Sequence, residues 1–255
     1  MESLYVITPF KDNTFILLEQ TINSLKNQDF ILINHILVID KSSFNKAQQF
    51  FKSSNFYKKN YQFILMISNL SGIYSAINQG LEMLNNNDPY IVIGAGDILI
   101  LNSHINFQNN YKIYYLPYYL SSKRKILINS FRNIFSGMPY CHNALIFKKN
   151  KLRYNQFYSL SADYEYFLNY LDFNNIKIKS FREKNKSIKE IKASYVVYDD
   201  MYGISSKKKG LVHIQNLRII FEKYFIAGCL LYIFELIHKF INRIYKKSQN
   251  LFITN

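Results

Sequence analysis

The sequence predicts an α/β protein built on a doubly wound, mostly parallel sheet, followed by a carboxyl-terminal helical appendage. Short uninterrupted apolar runs rich in β-branched residues recur through the first hundred positions, as expected of strands buried on both faces. Segments with apolar residues at helical spacing separate those runs, which is the alternation of right-handed parallel crossovers. From Leu211 onward the chain reads as helix alone.

Leu4-Tyr5-Val6-Ile7 forms the first strand, and Thr8-Pro9 with a polar turn through Asp12 and Asn13 ends it. Phe15, Leu18, Ile22 and Leu25 then lie on one side of a helix that Asn27-Gln28-Asp29 stops. The second strand runs from Ile33 to Ile39 and ends on Asp40; helix 44–54 and strand Gln62 to Ile67 complete a second unit. Gly72 lets the backbone turn, and Ile73, Ala76, Ile77, Leu81 and Leu84 mark a third helix with one apolar side. The tract from Asn85 to Pro89 stops it, and Tyr90 to Ile93 is again a central strand.

Right-handed crossovers bring Thr8, Asp40, Ser68 and Asp97 to one edge of the sheet, where open α/β sheets bind ligands. Gly94-Ala95-Gly96 are too small to shield Asp97, so this aspartate suits a metal ion or the phosphate side of a ligand; the alternative is that it caps the next turn. Asp40 is placed to accept hydrogen bonds from a ribose or a base, or else to cap the following helix with Ser42 and Ser43 as rivals.

The 255 residues bury one substantial core, and half of them are apolar. A net charge of +15 suits anionic partners, whether phosphates, nucleic acid or an anionic membrane surface. The 22 tyrosines and 21 phenylalanines alternate with aliphatic residues in core-like strands rather than forming a basic stacking motif, which argues against nucleic acid. Cys141 and Cys229 match no zinc or redox spacing and point to a reducing compartment. The amino terminus, acidic at position two, runs straight into a strand and has the pattern of neither a signal nor a transit peptide.

Seven ordered blocks, VITPFKDN, TINSLKNQ, ILVIDKSS, SGIYSAINQG, YIVIGAGD, MPYCHNALIFKK and SADYEYFLNYL, resemble the family 2 glycosyltransferases of the GT-A fold, and most of all the bacterial members that build surface polysaccharides. The most specific block is GIYSAINQG, which looks like the family's GIYDAMNKG. The resemblance implies transfer of a sugar from a nucleotide sugar, commonly a uridine diphosphate sugar, to a saccharide or lipid-linked acceptor with inversion at the anomeric carbon. Thr8 and Pro9 would line the base pocket, Asp40 would contact uracil or ribose, and Ser71, Gly72 and Asn78 would belong to the helix and turn that close over the donor. Asp97 matches the last position of the metal-binding acidic motif, implying a divalent cation, Mn²⁺ or Mg²⁺. Asp163 falls on the usual general base, and it also suits a plain N-cap of the apolar helix Tyr164 to Leu171. His142 matches a histidine frequent in these relatives that could meet diphosphate, metal or acceptor; a satisfied structural histidine is the alternative. The chain departs from the pattern where Gly96-Asp97 replaces two adjacent acids, where Ser71 and Ser75 replace aspartates, and where Gln79 replaces a lysine.

Beyond Leu171, residues 176–192 read as a solvated segment around an edge strand, and SYVVYDD as a last strand ending on Asp199 and Asp200. Lys207-Lys208-Lys209-Gly210 reads as a basic hinge, dividing a transferase domain over 1–204 from a helical segment over 205–255. From Leu230, polar Glu235, Lys239, Asn242 and Lys246 lie opposite Leu231, Phe234, Ile237, Ile241 and Ile244, an amphipathic and cationic helix too interrupted to span a bilayer. The expected location is cytoplasmic, peripheral on the inner face of a bacterial plasma membrane. The alternative is a helical hairpin packed on the enzyme or on a second subunit of a homo-oligomer.

Overall fold

The computed structural model describes residues 2–11, 15–53, 58–68, 72–102, 104–121, 125–127, 134–176, 187–192, 194–198 and 208–253, with the side chains of 52, 53, 125–127, 136, 239 and 242–253 left aside. Strand β1 (Ser3–Phe10), helix α1 (Phe15–Lys26), β2 (Leu32–Asp40), α2 (Phe44–Ser53), β3 (Tyr61–Ser68), α3 (Ile73–Glu82) and β4 (Pro89–Val92) follow one another as the periodicity predicts. Five shorter strands come next: β5 (Ile98–Ile100), β6 (Ile113–Tyr115), β7 (Tyr118–Leu120), β8 (Lys125–Leu127) and β9 (Leu145–Lys148). Helix α4 (Ala162–Phe173), β10 (Ile188–Glu190), β11 (Tyr195–Tyr198) and α5 (Lys209–Ile253) complete the order.

Seven strands form the main sheet in the order β10-β6-β9-β4-β1-β2-β3. It is parallel throughout except at β9, which runs antiparallel to both β4 and β6. Strand β10 is the edge expected within 176–192. A second sheet, ordered β5-β11-β7-β8, covers one side. Side chains alternate between two cores, as the period of two requires. Leu4, Val6, Ile33, Leu37 and Ile91 meet α1 and the second sheet. Ile7, Ile36, Val38, Tyr90 and Val92 meet α3, α4 and part of α5. A methyl at Gly80 would fall 2.7 Å from Ile7 Cγ2, so glycine is what lets α3 lie close on β1.

The carboxyl-terminal segment differs from a single amphipathic helix. Helix begins at Lys209, so Gly210 sits in its first turn rather than in a hinge; Lys207, Asp199 and Asp200 lie outside the described residues. The helix breaks at Phe225 (φ 53°, ψ −155°). His213 Nδ1 nevertheless lies 2.7 Å from the Tyr232 hydroxyl, whereas 19 residues of straight helix would separate them by about 28 Å. The segment is therefore a hairpin. A methyl at Gly228 would fall 2.9 Å from Ile220 Cγ2, so this glycine lets the second arm fold back on the first just past the turn. Ile219, Ile220 and Tyr232 enter the core beside α4, Lys223 pairs with Asp172 at 2.7 Å, and the Tyr158 hydroxyl donates to Glu222 at 2.6 Å.

Candidate active site

The edge formed by the carboxyl ends of β1, β2, β3 and β4 carries the predicted acidic residues. Register pairs Asp40 with Ser68 and Ile7 with Val92, so Pro9, Asp40 and the loop after β4 open on the same rim. That loop, Gly94-Ala95-Gly96-Asp97, is a reverse turn in which the Asp97 N–H donates to the Gly94 carbonyl at 3.2 Å. Gly96 takes φ 100° at its third position, where a side chain would be strained. Asp97 Oδ2 closes the turn by accepting the Gly94 N–H at 2.7 Å.

Helix α1 and the residues just past its end hold this loop with three polar side chains, Thr21, Ser24 and Gln28, set among buried apolar residues. Thr21 Oγ1 donates to the Asp97 carbonyl at 2.8 Å and accepts the Gly96 N–H at 2.9 Å. Gln28 donates to the Leu99 carbonyl and accepts the Leu101 N–H, both at 2.9 Å. The backbone around Asp97 is thus fastened from α1 and from the residue two places past its end. From the other side the Asn143 amide donates to Asp97 Oδ2, and Asp97 itself is only 2% exposed.

Asn143 belongs to a short helical turn, His142–Ala144, ahead of β9. His142 Nε2 lies 3.1 Å from the Tyr154 hydroxyl, while its Nδ1 is enclosed without a partner among the described residues. Burial lowers the imidazole to about 4, which keeps it neutral at ordinary pH. Asn78 uses both ends of its amide on the Tyr154 backbone, donating to its carbonyl and accepting its N–H at 2.8 Å each. It therefore acts from α3 through Tyr154.

The Tyr154 ring stacks on Tyr166 at 4.1 Å and on Tyr74 at 5.8 Å. Tyr74 reaches from the first turn of α3 to hydrogen-bond Asp163. The N-cap of α4 is Ser161, so Asp163 lies inside the first turn rather than capping it; its Oδ1 accepts the Tyr164 N–H at 2.9 Å. Burial pushes its carboxyl up from the usual 3.8 to about 6, against the pull of that N–H and of the Tyr74 hydroxyl. The Cys141 thiol is raised to about 12 by burial and then by the charges of Asp97 and Asp163.

The remaining predicted residues take other positions. Asp40 caps the helical turn Lys41–Ser43, accepting the Ser42 N–H at 2.9 Å and its hydroxyl at 2.6 Å, with Lys11 4.0 Å away. Thr8 is fully enclosed and points into the α1 side of the sheet, where its hydroxyl lies 2.9 Å from His35 Nε2; Tyr61 meets Nδ1 at 2.7 Å. Pro9 is half-buried at the rim. Gly72 has φ 106° and ψ 151°, a conformation nearly confined to glycine, and starts α3. Ser71 lies outside the described residues. Ser75 Oγ and Gln79 Oε1, one turn apart on α3, are enclosed without partners among the described residues. Sequence reasoning missed Tyr74, Tyr154, Asn143 and Thr21. Tyr74 and Asn143 stand inside or beside recognised motifs and were within reach; Tyr154 is found only through the contacts it makes.

Among the described residues no three His, Cys, Asp or Glu side chains gather as metal ligands. One oriented carboxylate, Asp97, is an oxygen donor that suits Mg²⁺ or Mn²⁺ keeping phosphate and water ligands, rather than an ion caged by protein.

No family model matches the chain, and no curated protein matches it. Solved structures do. S. aureus TarS superposes with a TM-score of 0.57 at 11% identity over 92% of this chain, which spans 43% of the TarS chain. TarS 1-349 in complex with UDP gives 0.56 at 14% identity, over 92% of this chain and 70% of that one. The mannosyltransferase PcManGT from Pyrobaculum calidifontis, in complex with GDP-Man and Mn²⁺, gives 0.55 at 9% identity, over 97% and 79%. At such identities the likeness is one of fold, and the fold is the GT-A-like α/β arrangement with its helical appendage.

Proposed function

We propose that this chain is a glycosyltransferase of the family 2 type. In this reading it moves a hexosyl group from a nucleotide sugar, of the uridine diphosphate class, to a hydroxyl of a saccharide or lipid-linked acceptor in surface-polysaccharide assembly, with inversion. The observation that carries the reading is Asp163, a half-buried carboxyl raised to about 6 at the head of α4 and linked to the turn of Asp97 through Tyr74, Tyr154 and the neighbouring pair His142 and Asn143. A base with that affinity is ionised at neutral pH yet still takes up a proton readily.

The acceptor hydroxyl gives its proton to Asp163 as its oxygen bonds the anomeric carbon from one side. The bond from that carbon to the phosphate oxygen breaks on the other side, and the nucleoside diphosphate leaves with the electron pair. Attack and departure on opposite faces produce inversion. In this reading Pro9 and Asp40, at the rim, would contact the nucleoside, and Ser75, Gln79 and His142 offer enclosed polar atoms that a ligand can satisfy; leaving each one unpaired costs about 1–3 kcal/mol. Asp97 would hold a divalent cation together with phosphate oxygens. Such an ion, when bound, offsets charge on the departing diphosphate.

Calorimetry with a panel of nucleotide sugars, with and without Mn²⁺ or Mg²⁺, followed by turnover with acceptor saccharides, tests the reading. Donor binding with turnover supports it. Donor binding without turnover on any acceptor would mark an inactive donor-binding relative, and absence of both would reject the reading.

A further inference from the structure

Of nineteen large apolar side chains exposed among the described residues, twelve lie on the α5 hairpin. Ile226, Leu230, Ile233, Ile237 and Phe240 recur at steps of four and three along the outer side of its second arm, away from the face that Tyr232 and Leu236 pack inward. At the tip, Phe225 is 72% exposed in a left-handed backbone conformation that costs an aromatic residue roughly 1–3 kcal/mol. An exposed patch of this extent marks an interaction surface. No helix among the described residues is long and apolar enough to cross a membrane.

We propose that this hairpin lies on an anionic lipid bilayer, with its tip and the outer stripe sunk into the boundary between headgroups and acyl chains. Charge selects the occupant. Residues 208–253 carry eight lysines and arginines against two glutamates, which complements an anionic leaflet. The four-three spacing would also seat a second copy of the chain, but that copy would bring another net charge of +15 against the first. The hairpin is rigidly joined to the body: Gln215 accepts the Leu160 N–H at 3.0 Å, three residues before Asp163. A docked hairpin therefore holds the head of α4 close to the lipid surface, where a lipid-linked acceptor resides. That last consequence rests on the transfer reading, whereas docking itself does not.

The test is sedimentation of the full chain with vesicles of phosphatidylcholine alone and of phosphatidylcholine with phosphatidylglycerol, at low and high salt. The expected result is binding to the anionic vesicles, weaker by roughly tenfold or more on neutral vesicles or at high salt. The double variant Phe234→Ser, Ile237→Ser, altered only at exposed positions, should lose about tenfold or more of vesicle binding while its melting temperature and donor calorimetry stay unchanged. Indifference to all vesicles overturns the proposal. So does a wild-type dimer in solution that the double variant converts to monomer without any vesicle binding, which would assign the stripe to a second copy. Donor binding is read separately, so failure of the transfer reading leaves the vesicle result standing.

Discussion

Asp97 is held by the Gly94 N–H and the Asn143 amide in a turn that α1 and the residues just past it fasten from Thr21 to Gln28, whereas Asp163 is held by the peptide N–H groups of Tyr164 and of Asp163 itself and by the Tyr74 hydroxyl. The first surroundings fix where a carboxylate points. The second set how strongly it holds a proton, because burial that strips solvent from the charge raises its affinity to about 6. A glycosyl transfer needs both, one acid group as a fixed anchor for charge and another as a proton acceptor, and the fold builds each from different materials.

The contrast breaks most sharply at Asp163. Asp163→Asn should lower kcat by roughly two to four orders of magnitude and leave the donor Kd unchanged, since proton removal is felt in the transition state. Equal loss of stability and activity would instead make the residue structural. Asp97→Asn keeps an acceptor for the Gly94 and Asn143 donors, so the fold should survive while metal-dependent donor binding or turnover falls about a hundredfold. An unchanged metal response would remove Asp97 from the site. Asn143→Ala leaves the charge but frees its direction, and should cost about tenfold in the same assay.

Tyr74→Phe sharpens the comparison, because it keeps the stack on Tyr154 and deletes the hydroxyl that pulls the Asp163 carboxyl down. The acid limb of activity should move above 6 with only a few-fold change in the plateau rate. A limb that stays put would detach Tyr74 from the base.

The smallest effect belongs to His35, lowered to about 3 by burial between Thr8 and Tyr61. Between about 3 and 6.5 the unfolded chain binds a proton that the folded chain refuses, so stability falls as pH drops through that window. His142, lowered to about 4, adds to the slope between about 4 and 6.5. Asp163 opposes both, favouring the folded state toward lower pH between 3.8 and about 6. His35→Gln should flatten the dependence of denaturant midpoint on pH without altering turnover. A slope as steep as in the wild type would place the acid sensitivity elsewhere.

Much of this architecture was legible because central strands of a parallel sheet announce themselves as β-branched runs, and a turn spelled Gly-Ala-Gly-Asp announces its aspartate. The second sheet was legible only at β11, foreseen in SYVVYDD, since its other strands, β5, β7 and β8, are three residues long and carry no period of their own. Nor was the reversal at Phe225: the turn is made by an aromatic residue in the left-handed region, with neither glycine nor proline at the bend to punctuate the helical pattern. Asn78 was expected at the donor, and its amide is used on Tyr154, a partner 76 residues away that no local pattern indicates.

The pH dependence of kcat/KM, taken between pH 5 and 8 with a nucleotide sugar that calorimetry shows to bind, tests most directly whether Asp163 is the base. A single ionisation near 6 on the acid limb, lost from the residual activity of Asp163→Asn, is the predicted result. A profile flat across that range, or a limb that persists unchanged in Asp163→Asn, would contradict it.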